Sequence, residues 1–165
     1  MNSTNKHNKP ILDPCCGGKM FWFDKQNPNV EFCDIRTVPK EIVGIGKNAR
    51  EFEVSPDTIA DFTALPFDDE SFWHIVFDPP HIIHGGDNSW IIKKYGRLKK
   101  DWQSVIRAGF DECWRVLKPN GTLIFKWNET DITVTQIIKC IGHEPIYGHK
   151  SGKLSKTHWL AFVKV

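Results

Sequence analysis

The chain has no apolar run long enough to cross a membrane and no cysteine pair with the spacing Cys-X-X-Cys. The first absence excludes a transmembrane helix, which needs about 20 consecutive apolar residues. The five cysteines are odd in number, and no secretory leader precedes them. We therefore interpret them as reduced thiols of a cytoplasmic protein with no membrane partner. The sequence also contains no repeat, low-complexity tract or evident linker.

The 165 residues are enough for one domain with a buried core. We predict that residues 1–9, which are rich in Asn and Lys, are disordered. Residues 10–165 are then a single domain without a separate target-recognition domain. The net charge is only +2, so the positions of the charges are more informative than their sum.

Apolar strand-like segments alternate with segments of helical periodicity. The pattern predicts strands at residues 11–12, 30–34, 72–77 and 122–125, with closing strands near 145–147 and 158–165. Asp101 is expected to cap a helix that begins at Trp102, and Gly142 to end a second helix that begins near Val134. Residues 37–48 look irregular, and residues 52–59 are ambiguous. The alternation predicts an α/β fold with a doubly wound, mostly parallel sheet and helices on both faces.

Three aspartates follow predicted strands directly. They are Asp13, Asp34 and Asp78. In open α/β sheets, ligands bind outside the carboxyl ends of the strands. We therefore expect these three carboxylates to share one crevice.

The segment Asp78, Pro79, Pro80 and His81 ends the most apolar strand. Proline fixes φ and has no N–H, so this segment is rigid and offers carbonyl acceptors. The Asp78 carboxylate and the Pro79 carbonyl together offer two acceptors and no donor, which suits the amine of a nucleobase or a carboxamide. The alternative interpretation is a strand that ends in a rigid turn, with His81 on the surface.

With these motifs in this order, the chain resembles the Rossmann-like (class I) S-adenosylmethionine-dependent methyltransferases, in particular the DPPY-type amino-methyltransferases and small phage or prophage relatives. The resemblance spans residues 11–128. It implies an antiparallel last strand, S-adenosylmethionine as cofactor and a catalytic role for residues 78–81. The residues implied to bind the cofactor are Asp13, Pro14, Cys15, Cys16, Gly17, Gly18, Asp34, Asp61 and Phe62. The sequence departs from the family at residues 19–22, where the usual third glycine is missing, and at His81, where the family has an aromatic residue.

Basic residues interleaved with aromatics follow residue 81, and a second basic segment separates the last two predicted strands. Such segments suit phosphate contacts and base stacking, so we predict a nucleic-acid partner. For the basic segments, the alternative is a solvated lysine-rich loop without a binding role. For Trp127, the alternative is a position in the core. The predicted substrate-binding residues are Trp90, Lys93, Lys94, Tyr95, Arg97, Lys126, Trp127, Lys153 and Lys156.

The sequence thus predicts methyl transfer to an exocyclic amine, adenine N6 or cytosine N4, in DNA or RNA. Guanine N2 in structured RNA is an alternative acceptor, and a protein glutamine is less favoured. A non-enzymatic protein of the same fold that binds nucleic acid or a partner is the alternative from another class. We expect target selection to come from loops or from a protein partner. No metal site is predicted, because Cys15, Cys16, His81 and His84 lack the paired spacing of structural zinc sites.

Overall fold

The computed structural model of the chain describes residues 8–84, 86, 92, 94 and 96–165. In chain order the strands are β1 (Ile11–Asp13), β2 (Val30–Asp34), β3 (Val38–Val43), β4 (Arg50–Val54), β5 (Thr58–Ile59), β6 (Phe72–Phe77), β7 (Leu117–Asn128), β8 (Tyr147–Lys150) and β9 (Thr157–Val163). The helices are α1 (Trp102–Val116) and α2 (Val134–Ile141), and a 3₁₀ turn spans Gly46–Asn48. Within the described residues, no helix is both long and apolar enough to cross a membrane.

Seven of the strands form one sheet in the order β5-β2-β1-β6-β7-β9-β8. The pairs from β5 to β7 are parallel, whereas β9 runs antiparallel to both of its neighbours. This arrangement confirms the predicted mostly parallel sheet with an antiparallel last strand. It also brings β1 and β6 together where the strand order reverses, which is where α/β sheets of this kind bind ligands.

One face of the sheet carries a continuous apolar row that both described helices cover. Leu12, Ile75, Leu123 and Phe162 are aligned across four strands and are almost completely buried. The buried residues of α1 recur at helical spacing and pack in the same cluster as those of α2. This burial explains why a segment whose apolar positions recur at about 3.6-residue spacing forms a helix here.

The opposite face of the sheet carries a second, smaller apolar cluster. Near β1 and β2 it is covered by the turns between residues 14 and 24, where the Trp22 ring packs edge-on against Phe32 at 5.2 Å. In the described part of the chain, neither helix contributes to that cluster. The connection between β1 and β2 folds as successive turns, so the bulky aromatic residues of this segment provide the cover.

Local signals at the helix ends were partly correct. Thr133 and Gln136 form a reciprocal capping box at the start of α2, and Gly142 ends that helix at φ 71° in the left-handed region. Helix α1 begins where predicted, but the Asp101 side chain makes no capping hydrogen bond. Its backbone carbonyl accepts from the N–H and hydroxyl of Ser104 instead.

Three predicted boundaries were wrong. Lys9 was expected to be disordered, yet its ammonium pairs with Glu31 at 2.9 Å and Asp57 at 2.7 Å; residues 1–7 lie outside the described range. The segment expected to be irregular contains β3, which forms an antiparallel hairpin with β4. Strand β3 contains a proline and mostly exposed side chains, so its sequence lacks the alternation that is usual for a strand. Finally, β7 begins at Leu117, five residues earlier than predicted.

Candidate active site

A cavity of about 520 Å³ opens at the carboxyl edge of the sheet, over the ends of β1, β2 and β6. Its volume is in the range of small-molecule and cofactor sites. Most of the residues predicted to bind a cofactor line it, together with residues of the segment that precedes α1. The lining residues used below are Cys15, Cys16, Gly17, Gly18, Phe21, Asp34, Arg36, Asp61, Phe62, Asp78, Pro80, Lys94, Arg97 and Lys126, and Pro14 also lines the cavity.

Asp13 does not line this cavity, but it contacts the turn that does. The carboxylate is completely buried and accepts hydrogen bonds from the Trp22 indole at 2.7 Å and from the Cys15 N–H at 3.3 Å. Burial raises the pKa of Asp13 to about 7; the Trp22 hydrogen bond opposes the increase and the nearby Asp78 charge adds to it. Asp13 therefore holds the turn after β1 in place.

The turn after β1 is also attached to the end of β2. The Gly17 N–H donates to Oδ2 of Asp34 at 2.9 Å, with Gly17 at φ 48° in the left-handed region that glycine tolerates. The other oxygen, Oδ1, accepts from the Arg36 N–H at 2.9 Å and from its Nε at 3.1 Å. Asp34 is thus in the predicted place, but an arginine that the sequence prediction missed already pairs with it.

Asp61 and Phe62 form another part of the wall. Oδ1 of Asp61 accepts from both the N–H and the hydroxyl of Thr63, at 2.8 and 2.7 Å. Within the described residues its second oxygen makes no hydrogen bond and can accept from a ligand. The Phe62 ring packs edge-on against Phe77 at 5.4 Å, with its neighbour Gly109 on α1 leaving room for it.

A second cavity, of about 360 Å³, lies beside the first. It is lined by Asp78, His81, Ile82, His84, Ile92, Lys126, Asn128, Thr130, Asp131 and Thr157. Asp131 shapes one side, because its carboxylate accepts from the backbone N–H groups of Ile83 and His84 at 2.7 and 3.1 Å. Thr157, at the start of β9, brings the loop of residues 151–156 to the rim of this cavity.

Among the described residues, only Asp78 and Lys126 line both cavities. The Lys126 ammonium pairs with Oδ2 of Asp78 at 2.6 Å. Burial raises the pKa of Asp78, and the charges of Lys126 and Lys94 act in the opposite direction. The wall between the cavities is therefore a nearly buried ion pair.

His81 lines the second cavity, and its edge contact with Trp127 has a centroid distance of 6.2 Å. Burial and the nearby Lys126 charge lower the pKa of His81 to about 4, so the ring is neutral at physiological pH. Trp127 is completely buried, stacks on Phe125 and donates to the Ile132 carbonyl at 2.9 Å. The prediction that Trp127 contacts substrate is thus wrong for this conformation, and its position is structural.

The segment of residues 78–81, which the sequence predicts to be catalytic, lies only partly at the cavities. Pro80 lines the first cavity, whereas Pro79 is buried and lines neither cavity. The paired acceptors expected from Asp78 and the Pro79 carbonyl are therefore not both presented to a cavity here. Cys15 and Cys16 line the first cavity, and burial raises the pKa of both thiols above that of an ordinary cysteine.

The predicted basic residues lie in two places. Lys94 and Arg97 line the first cavity, and Lys153 and Lys156 are exposed in the loop before Thr157. Pairing of Thr157 with Asn128 puts that loop at the carboxyl edge, beside the second cavity, as predicted. The predicted residues Trp90, Lys93 and Tyr95 lie outside the described residues.

Arg36 and Phe21, which line the first cavity, were not predicted, and Trp159 lies beside Lys126 but lines neither cavity. Arg36 follows Asp34 by two residues, and this proximity was the available signal. Phe21 and Trp159 are far apart in the sequence, but their rings meet edge-on at 5.7 Å beside Lys126. The parts of the chain that the structure describes hold no group of three or more His, Cys, Asp or Glu residues arranged to bind a metal.

Comparison with solved structures supports the fold. The PH0226 protein from Pyrococcus horikoshii OT3 has a TM-score of 0.59 at 14% identity, over 94% of this chain and 81% of that chain. An S-adenosylmethionine-dependent methyltransferase of the DUF858 family from Leishmania major has a TM-score of 0.53 at 12% identity. That match covers 96% of this chain but only 66% of the Leishmania chain. No family model and no curated protein sequence matches the chain.

The strand order, the antiparallel last strand and these neighbours together define a class I methyltransferase fold. At these identities the neighbours establish the architecture, and the activity has to be argued from the site itself.

Proposed function

We propose that the protein is an S-adenosylmethionine-dependent methyltransferase that modifies an exocyclic amine of a nucleobase in DNA or RNA. The observation that carries this proposal is the pair of adjacent cavities whose shared wall is formed by Asp78 and Lys126. Methyl transfer needs two ligands in contact at one point, and two cavities that meet at a carboxylate provide such a point.

The first cavity fits the cofactor. Asp34, at the end of β2, is the acceptor for the ribose hydroxyls, and the second oxygen of Asp61 is the acceptor for the adenine amine. Phe62 supplies a flat apolar surface, and the turn at Gly17 and Gly18 brings backbone close to the methionine portion. S-adenosylmethionine supplies an electrophilic methyl group, so its transfer breaks a carbon–sulfur bond, forms a carbon–nitrogen bond and releases one proton from the amine.

The second cavity suits a flat acceptor with N–H groups. His81 is a neutral planar ring beside the Asp78 carboxylate, and stacking with hydrogen bonding to an amine is how extruded bases are held. Asp78 accepts an amine hydrogen and stabilises the positive charge that develops on nitrogen. Preorganised acceptors of this kind account for much of the rate gain in such sites.

A polynucleotide is favoured as the substrate by the charges around the two cavities. Lys94 and Arg97 lie at the first cavity, and Lys153 and Lys156 lie in the exposed loop beside the second. Two basic segments that flank one crevice suit phosphate contacts on either side of an inserted base. These loops, or a protein partner, are the proposed source of sequence selection.

The test combines calorimetry and labelled methyl transfer. We expect S-adenosylmethionine to bind the wild-type protein, and Asp34→Ala to abolish binding. Asp78→Asn keeps the shape of the side chain, so this variant should bind the cofactor while transfer to DNA or RNA falls by at least about 100-fold. Mass spectrometry of the nucleosides then distinguishes adenine N6, cytosine N4 and guanine N2.

Two results would contradict the proposal in different ways. Unchanged transfer by Asp78→Asn would remove Asp78 from the reaction. Cofactor binding without transfer to any DNA or RNA would favour a non-enzymatic protein of this fold.

A further inference from the structure

Lys126 and Asp78 stand side by side at the ends of adjacent parallel strands. Phe125 pairs with Phe77 in the register of β6 and β7, so the next residue on each strand reaches the carboxyl edge together. Their side chains are 21% and 14% exposed, and Nζ lies 2.6 Å from Oδ2. An ion pair this short and this buried differs from the solvated surface pairs that contribute little to structure.

Two aromatic rings hold the Lys126 ammonium in this position. Nζ lies 5.3 Å from the centre of the Phe21 ring and 5.6 Å from that of Trp159, distances typical of cation–π contacts. Trp159 faces Lys126 directly in the antiparallel pairing of β7 with β9. Its indole N–H donates to the Ser151 hydroxyl at 3.0 Å, which fixes the ring. Lys126 is therefore contacted on one side by a carboxylate and on others by the two rings.

The charges around Asp78 favour different protonation states. Burial disfavours its ionised form, whereas Lys126 on β7 and Lys94, from the segment before α1, favour it. Asp13 on β1 is a further neighbour, and the Asp78 charge raises the pKa of Asp13. The neighbouring Cys15 thiol is uncharged, because burial raises its pKa. Lys126 donates a direct hydrogen bond to the carboxylate.

We infer that Lys126 is a positioning residue for methyl transfer: it keeps Asp78 ionised and holds Oδ2, leaving Oδ1 to accept an N–H of the acceptor amine. The inference rests on the proposed function, because it assigns a task to Asp78 in that reaction. When the nitrogen bonds to the methyl carbon, it loses one proton, and Oδ1 is the adjacent base that accepts it. Phe21 and Trp159 keep the ammonium at the carboxylate.

The direct test measures ionisation of Asp78 without turnover. Aspartate labelled with ¹³C at the carboxyl carbon is incorporated, and the Asp78 resonance is assigned by its loss in Asp78→Asn. In Lys126→Met the pKa of Asp78 should rise by about 1 to 3, the usual effect of removing an adjacent opposite charge. Lys126→Arg keeps the charge and should titrate close to the wild type. An unchanged Asp78 titration in Lys126→Met would overturn the inference.

A matched pair of Trp159 variants tests the aromatic contacts to Lys126. Trp159→Phe keeps a ring beside the ammonium, and Trp159→Leu removes it. Only the leucine variant should move the Asp78 titration toward that of Lys126→Met. Equal shifts in both variants would mean that the ring does not hold Lys126. These variants also keep the test decisive if Lys126→Met fails to fold.

Kinetics separate this inference from the proposed function. In active protein, the acid limb of the rate against pH should move to higher pH in Lys126→Met and return in Lys126→Arg. If the wild type transfers no methyl group but Asp78 titrates as expected, the function assignment fails and the role of Lys126 in holding Asp78 stands. If transfer occurs and the acid limb does not move in Lys126→Met, the positioning role of Lys126 is wrong while the proposed function stands.

Discussion

The indole N–H of Trp22 donates a hydrogen bond to the completely buried carboxylate of Asp13 at 2.7 Å. This bond joins the end of β1 to the turn segment that lines the first cavity. The contact also explains how residues 19–22, which depart from the family pattern, still contribute to the site: they supply the donor that Asp13 requires.

Trp22→Phe should destabilise the protein by about 1 to 3 kcal/mol, because it leaves a buried acceptor with one partner fewer. Cofactor affinity should fall as well, since the turn loses its attachment to β1. Urea denaturation and calorimetry measure the two effects. Trp73→Phe is the matched control, because Trp73 is 55% exposed and lines neither of the cavities above.

The buried Asp13 should make stability depend on pH. Its folded pKa is about 7, against an ordinary value of 3.8, so the folded state holds the proton more tightly than the unfolded state. The contribution of Asp13 is therefore fully present below pH 4 and is lost as pH rises to about 7. Relative to Asp13→Asn, the wild type should lose about 4 kcal/mol at most across this window. Parallel stability curves for the two proteins would contradict the raised pKa.

Arg36 should weaken cofactor binding. Its guanidinium occupies Oδ1 of Asp34 at 3.1 Å, where a ribose hydroxyl is expected to bind, and its positive charge repels a sulfonium. We expect Arg36→Ala to bind S-adenosylmethionine up to about 10-fold more tightly, which corresponds to about 1.4 kcal/mol. Calorimetry at low and high salt separates the charge effect from competition for Asp34. Weaker binding in the variant would show that Arg36 contacts the cofactor favourably.

Gly109 provides space for the Phe62 ring. A Cβ at this position would lie 2.5 Å from Phe62 and 3.0 Å from Phe77. Gly109→Ala should displace Phe62 and reduce cofactor affinity; the overpacking cost of about 1 to 3 kcal/mol is partly offset by the helix preference of alanine. Gly152→Ala is the control, because nothing lies within 4 Å of the added methyl. Equal cofactor affinity in Gly109→Ala and Gly152→Ala would show that Phe62 does not contribute to cofactor binding.

His81 should act through its flat ring and not as a base. Its pKa of about 4 leaves it neutral above pH 5, so no change in rate near pH 6.5 should come from this residue. His81→Phe should retain most of the transfer activity, whereas His81→Ala should lose it by weakening acceptor binding. Steady-state kinetics measured against pH distinguish a flat ring from a base. If His81 acted as a base, both variants would lose transfer activity equally.

The exposed lysines before β9 should govern the salt dependence of polynucleotide binding. Replacing Lys153 and Lys156 with glutamine should reduce the slope of log affinity against log salt by about 2, close to one unit per lost phosphate contact. Lys118 and Lys139 are the controls, because they lie at the start of β7 and near the end of α2, away from the carboxyl edge. If the Lys153/Lys156 and Lys118/Lys139 double variants had equal slopes, the loop before β9 would not contact the polynucleotide.

Much of the fold followed from local patterns. The apolar run of β6, the helical spacing in α1 and the glycine that ends α2 were all recognisable, because each reflects burial or backbone freedom within a few residues. The hairpin of β3 and β4 was missed, since its strands are mostly exposed and lack the alternation that burial produces.

The order of strands and helices could be predicted from the sequence alone, as could the acidic residues that end the strands, and hence that Asp13, Asp34 and Asp78 would lie at one edge; Asp61 was implied by the family resemblance. Only the tertiary structure decided what each of them contacts: Arg36 on Asp34, Lys126 on Asp78, and Phe21 with Trp159 around Lys126. These partners depend on strand register and on turns that bring distant segments together. Local propensity carries no information about such contacts, because they are stabilised by burial that exists only after the sheet has formed.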